Sequence, residues 1–60
     1  MKYKHSIVRE LKNNNGMYAS QLAMRVSTVD KDFDEALRNV WDMVASGELK
    51  IDTDRKISLW

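Results

Sequence analysis

Three aspartates at alternate positions, Asp30, Asp32 and Asp34, have the spacing with which a calcium-binding loop begins. Such a loop then needs a glycine at its sixth position and a bidentate glutamate at its twelfth. In this chain Glu35 occupies the glycine position and Trp41 the position of the last ligand. The aspartates also lie at the start of a strong helical pattern, where carboxylates suit the positive end of the helix dipole. We therefore predict no calcium site.

Residues for enzymatic chemistry are scarce in this sequence. The chain has one histidine, His5, and no cysteine, so it offers no ligand set for a transition metal. A nucleophile, its base and its acid must meet in a pocket, for which 60 residues leave little room. No glycine-rich phosphate loop is present. We predict no catalytic residues, no metal and no cofactor.

Length and composition indicate one small domain, which we place at residues 1–60. The absence of cysteine means that no disulfide stabilises it. No apolar run is long enough for the core of a signal peptide or for a membrane span. We expect a soluble, cytoplasmic protein that does not bind a membrane.

Charge is unevenly distributed, although the net charge is only +1. Residues 1–16 contain four basic residues against one acidic residue, a balance of +3. Residues 30–42 contain two basic residues against five acidic ones, a balance of −3. Any proposal of nucleic-acid binding must account for this acidic segment.

Two short helices are predicted in the first half of the chain. The apolar face of the first comprises Tyr3, Ile7, Val8 and Leu11. The asparagine run and Gly16 are expected to end it. The apolar face of the second comprises Ala19, Leu22, Ala23 and Val26. Either Tyr18 or Ser20 begins this second helix, after a short extended piece at residues 17–18.

The third predicted helix is the longest and lies between Asp30 and Gly47. Its apolar stripe comprises Phe33, Leu37, Val40, Trp41 and Val44, flanked by Ala36 and Met43. Polar residues, Asn39 among them, are expected on the opposite, solvent-facing side. Gly47 is expected to close the helix in the left-handed conformation.

After Gly47 the apolar period changes to two, which predicts an antiparallel hairpin. Its apolar face comprises Leu49, Ile51, Ile57 and Leu59, and residues 52–55 form the turn. Trp60 is expected to point away from that face and to fold over the sheet edge near Tyr3 or Met17, or else to form an interface. The predicted fold class is α+β, with the order α-β-α-α-β-β.

These elements carry motifs in the same order. They are Leu22-Ala23-x-Arg25-Val26, Phe33-x-x-Ala36-Leu37-x-x-Val40 and Ser46-Gly47-Glu48-Leu49. With this pattern the chain resembles the winged helix-turn-helix DNA-binding domain of small phage and bacterial transcription regulators. The third helix departs from the family pattern, because it is about one turn longer than usual and is acidic.

This resemblance implies sequence-specific binding of double-stranded DNA, with the third helix in the major groove and the hairpin wing on the backbone. The base-facing positions would be Lys31, Asp34, Glu35, Arg38, Asn39 and Asp42. The backbone-facing positions would be Ser20, Gln21, Arg25, Lys50, Arg55 and Lys56. A homodimer would double these contacts.

Simpler interpretations stand beside these assignments. Arg38 would pair with Asp34 one turn earlier, and Asn39 would only be solvated. The basic residues of the hairpin would discourage association between strand edges. The alternative function is a protein-interaction module whose acidic third helix binds a basic partner protein. Continuous positive charge from Arg38 to the wing would favour DNA, and an acidic third helix would favour protein.

Overall fold

The computed structural model describes residues 2–27 and 32–60. In chain order, the elements are α1 (Lys4–Asn13), β1 (Met17–Tyr18), α2 (Ala19–Val26), α3 (Phe33–Ala45), β2 (Lys50–Ile51) and β3 (Lys56–Ser58). This order confirms the predicted α+β architecture. Three helices with a small antiparallel sheet are compatible with a winged-helix-like fold.

The sheet has three antiparallel strands in the order β1-β3-β2, so β3 is the central strand. Ile57 on β3 lies opposite Met17 on β1 and opposite Ile51 on β2. The predicted order already placed a short strand at residues 17–18, but the prediction paired only the last two strands, as a hairpin. In the structure this short strand also pairs with β3, so it joins the connection between α1 and α2 to the sheet.

One core receives side chains from the helices and the sheet. The predicted apolar faces of α1 and α2 are confirmed, because Ile7, Leu11 and Leu22 are fully buried. Complete burial of one such side chain contributes roughly 1.5–3 kcal/mol. Leu49 and Ile57 close the core from the side of the hairpin.

Four of the five predicted stripe residues of α3 are buried or pack against the core, but the centre of the buried face lies nearer Ala36 and Met43 than predicted. Ala36, Val40 and Met43 are the fully buried residues of this helix. Leu37, from the predicted stripe, is only partly buried, and Trp41 is exposed. The packing of α3 on α2 is the most extensive between any two elements. Small side chains at such a contact let two helix axes approach closely, which favours an inward-facing Ala36.

The end of α3 is confirmed at Gly47, which has a φ of 86°. The Gly47 N–H donates to the Val44 carbonyl at 3.1 Å, and the Glu48 N–H donates to the Met43 carbonyl at 2.9 Å. These two bonds form a Schellman motif, which satisfies carbonyls that the helix itself leaves unpaired.

Trp60 does not cover the sheet edge as predicted, because its side chain is 80% exposed. Its indole Nε1–H donates a hydrogen bond of 2.7 Å to the carbonyl of Gly47. The last residue is therefore anchored to the turn that follows α3.

An ion pair connects α1 to the same turn. Lys4 Nζ lies 2.6 Å from Glu48 Oε1, and the Ser46 hydroxyl donates to Glu48 Oε2 at 3.0 Å. Lys4 first, and Ser46 second, lower the pKa of the Glu48 carboxyl from its ordinary value of 4.5. The stabilisation is therefore present above pH 4.5 and is lost as the pH falls through the lower pKa of the folded protein.

The turn between β2 and β3 holds Arg55 at a φ of 68°. The Arg55 N–H donates to the Asp52 carbonyl at 2.9 Å, and the Asp52 N–H donates to the Lys56 carbonyl at 3.0 Å. This is the hairpin connection in which a left-handed residue follows a tight turn. A side chain with a Cβ is strained in this conformation.

We expect Arg55→Gly to raise the free energy of unfolding by roughly 0.5–1 kcal/mol, because the relief of left-handed strain exceeds the entropy cost of glycine. Urea denaturation followed by circular dichroism measures this change. Thr53→Gly, in the same turn but at negative φ, is the control and should destabilise the protein. A lower midpoint for Arg55→Gly would contradict the strain argument.

Candidate macromolecular interface

A groove of about 520 Å³ lies between the start of α2, the exposed side of α3 and the hairpin. We call it the α3–hairpin groove. Its lining residues are Tyr18, Ala19, Ser20, Leu37, Trp41, Ile51 and Arg55. On α3, Trp41 is exposed in this groove, and Leu37 is partly buried between the groove and the core.

The lining of this groove contains three large apolar side chains that remain open to solvent. Tyr18 is 44% exposed, Trp41 45% and Ile51 42%. Ile51 was predicted on the apolar face of the hairpin, but it lies on the edge strand β2 and remains exposed. Apolar side chains gathered in one place on a surface mark an interaction site more often than scattered ones do.

Charged residues of both signs lie near the groove, and Arg55 is the one that lines it. On α3, Asp34 and Asp42 are exposed on either side of Arg38. On the hairpin, Arg55 lines the groove, and Lys56 Nζ lies 5.7 Å from the centroid of the Tyr18 ring. The Lys56 ammonium group therefore lies over the Tyr18 ring at the edge of the groove, and this cation–π contact is favourable.

The structure separates the residues that were predicted to face a DNA backbone. Ser20 and Arg55 meet in the α3–hairpin groove. Gln21 and Arg25 line another depression, beside the loop that joins α1 to β1. Lys50 lies on β2 opposite Ser58 and is half-buried.

Asn39 is 8% exposed, so its prediction as a solvent-facing, base-contacting residue is wrong. Its Nδ2 donates to the Glu35 carbonyl at 2.8 Å. Its Oδ1 accepts the backbone N–H of Tyr3 at 3.3 Å. The side chain therefore connects α3 to the start of α1, and it is not available to a ligand.

The remaining predicted residues of α3 have different surroundings. Glu35 is exposed and lies 3.9 Å from Lys2 Nζ. Arg38 is exposed, and the alternative that it pairs with Asp34 is wrong, since no ion pair joins these two residues. Lys31 lies outside the described residues.

Sequence reasoning missed Tyr18 and Ile51 as surface residues of the groove. Alternation along a strand was the available signal for Tyr18, because an inward Met17 requires an outward neighbour. No comparable signal existed for Ile51, whose exposure depends on β2 being an edge strand.

Comparison of the chain with protein-family models, curated proteins and solved structures finds no match. No helix within residues 2–27 and 32–60 is long and apolar enough to cross a membrane. Across the same residues, no three acidic or histidine side chains lie close enough together to hold a metal ion.

We expect Asn39→Ala to lower the free energy of unfolding by roughly 1–3 kcal/mol, because the buried N–H of Tyr3 loses its acceptor. Arg38→Ala, at the neighbouring exposed position, is the control and should change it by less than about 0.5 kcal/mol. Chemical denaturation of both variants measures these differences. Equal effects of the two substitutions would show that the Asn39 amide does not hold α3 in place.

Proposed function

We propose that this chain is a protein-interaction module that uses the α3–hairpin groove. The observation that carries the proposal is the exposure of Tyr18, Trp41 and Ile51 around one concave surface. A chain of 60 residues forms only a small core, so it has few large apolar side chains to leave outside that core. Large apolar side chains that it leaves in water are best explained by a partner that covers them.

The charge of the surrounding surface also favours a protein partner over nucleic acid. The exposed charged residues of α3 are Arg38 against Asp34, Glu35 and Asp42, a balance of −2. Residues 50–56 of the hairpin contain three basic residues against two acidic ones, a balance of +1. The net charge of the exposed face of α3 is therefore negative, while that of the hairpin is only weakly positive. Affinity for DNA depends on positive charge, because phosphate contacts supply most of it.

We expect Ile51→Lys to weaken binding of the natural partner at least tenfold, because a lysine head group replaces apolar contact inside the groove. The immobilised chain captures proteins from an extract of the source cells, mass spectrometry identifies them, and each purified candidate is titrated by calorimetry. Lysine is well tolerated on an edge strand, so the variant should fold.

Met24→Lys is the matched control, because Met24 is 67% exposed on α2 but does not line the groove. It should leave the affinity unchanged. A partner that both variants bind as tightly as the wild-type chain would overturn the proposal. So would a partner that both variants lose equally.

A second candidate function is sequence-specific binding of double-stranded DNA by a small transcriptional regulator. The observations that favour it are the element order and the exposure of both Arg38 and Arg55. In this arrangement the acidic residues of α3 would accept hydrogen bonds from cytosine amines, and Arg38 would contact guanine. Arg55 and Lys56 would contact phosphates.

For the DNA candidate, we expect log affinity to fall with log salt by about 0.9 per phosphate contact. Lys56→Ala should reduce that slope by about one and weaken all sequences alike, whereas Arg38→Ala should relax selectivity. Gel-shift titrations of genomic fragments at several salt concentrations measure both effects. Lys12→Ala, on the far end of α1, is the control. Absence of duplex binding at low salt and high protein concentration would eliminate this candidate.

A further inference from the structure

We infer that the occupant of the α3–hairpin groove is an amphipathic α-helix of a partner protein. Its apolar stripe would enter the groove, with basic residues along the edge that faces α3 and acidic residues along the edge that faces the hairpin. This inference rests on the proposed function and specifies the chemistry of the partner.

The spacing within the groove fits side chains from successive helical turns. Leu37 and Trp41 lie four residues apart on α3, so they follow each other at about 6 Å along its axis. Apolar residues at positions i and i+4 of a partner helix have the same spacing. The groove, at about 520 Å³, has the size of pockets that hold several side chains.

The apolar lining favours a helix over an extended peptide. An extended segment that crosses Leu37 and Trp41 would place its backbone N–H and C=O groups against side chains that cannot pair with them. Strand addition at β2 would recover few of these bonds, because β2 has only two residues. A helix satisfies its own backbone and presents only side chains.

The two flanks of the groove determine the polarity of the partner. On the α3 side, Asp34, Arg38 and Asp42 are exposed and sum to −1, which favours basic residues in the partner. On the hairpin side, Arg55 and Lys56 attract acidic residues. A nucleic acid carries charge of one sign, so one flank would attract it and the other would repel it. An amphipathic helix can carry both signs, one on each side of its apolar stripe.

Selection from a phage-displayed library of helical peptides tests this inference, with the wild-type chain as target and Ile51→Lys for counter-selection. We expect selected peptides to share apolar residues at i, i+4 and i+7, flanked by basic residues on one side and acidic residues on the other. Synthetic peptides are then titrated against the chain and its variants. Affinity should fall about tenfold with Ile51→Lys and stay unchanged with Met24→Lys.

Charge reversal provides the sharper measurement. Asp42→Lys should lower the affinity for a selected peptide several-fold. Changing the basic residues of that peptide to glutamate should restore the affinity for Asp42→Lys but not for the wild-type chain. Glu10→Lys on α1, outside the groove, is the matched control for the added charge and should have no effect.

Each outcome of the experiment supports or overturns a defined statement. Groove-dependent peptides that contain proline, or that lack the two charged edges, would overturn the helical partner but leave the proposed function standing. A library that yields no binder, or only binders that Ile51→Lys does not affect, would overturn both. Selected peptides that depend on Ile51 and respond to charge reversal support both.

Discussion

The hydrogen bonds of Asn39 fix how α3 is turned about its own axis, and the surface of the protein follows from that orientation. One amide accepts the N–H of Tyr3 and donates to the Glu35 carbonyl, while Ala36 faces the core one turn away. Turning the helix outward would leave a buried N–H unpaired, at a cost of roughly 1–3 kcal/mol. The same orientation leaves Trp41 exposed and Leu37 partly buried, and both line the groove.

The surface beside α3 therefore combines features that folding alone does not require. The core is already closed by aliphatic residues such as Ile7, Leu22 and Ile57. Adding Trp41 to that core would have buried more apolar area, which is the main source of stability in a small domain. Its exposed position in the groove is the feature that the proposed interaction would explain.

Much of the fold could be predicted from local pattern, since helical and alternating periods identify the elements and Gly47 marks the end of α3. The burial of Asn39 could not, because Asn39 stands among charged residues and its burial depends on a backbone group of α1 far away in the chain. Nor could the pairing of β1 with β3, since the two residues at 17–18 carry too short a pattern to identify a strand partner. Of the residues that line the groove, Ser20 and Arg55 were predicted as site residues. The apolar lining from Tyr18 and Ile51 was not predicted.

The central position of β3 has a consequence for how the molecule is made. β1 lies in the first third of the chain, yet its only sheet partner is the last strand, and β2 also pairs with that strand. While the chain emerges from the ribosome, the helices can form early, but neither edge strand finds a partner until Ile57 has left the exit tunnel. Completion of the sheet therefore waits for the latest of its three strands in chain order, and the pairing of Met17 with Ile57 brings together two residues far apart in the chain.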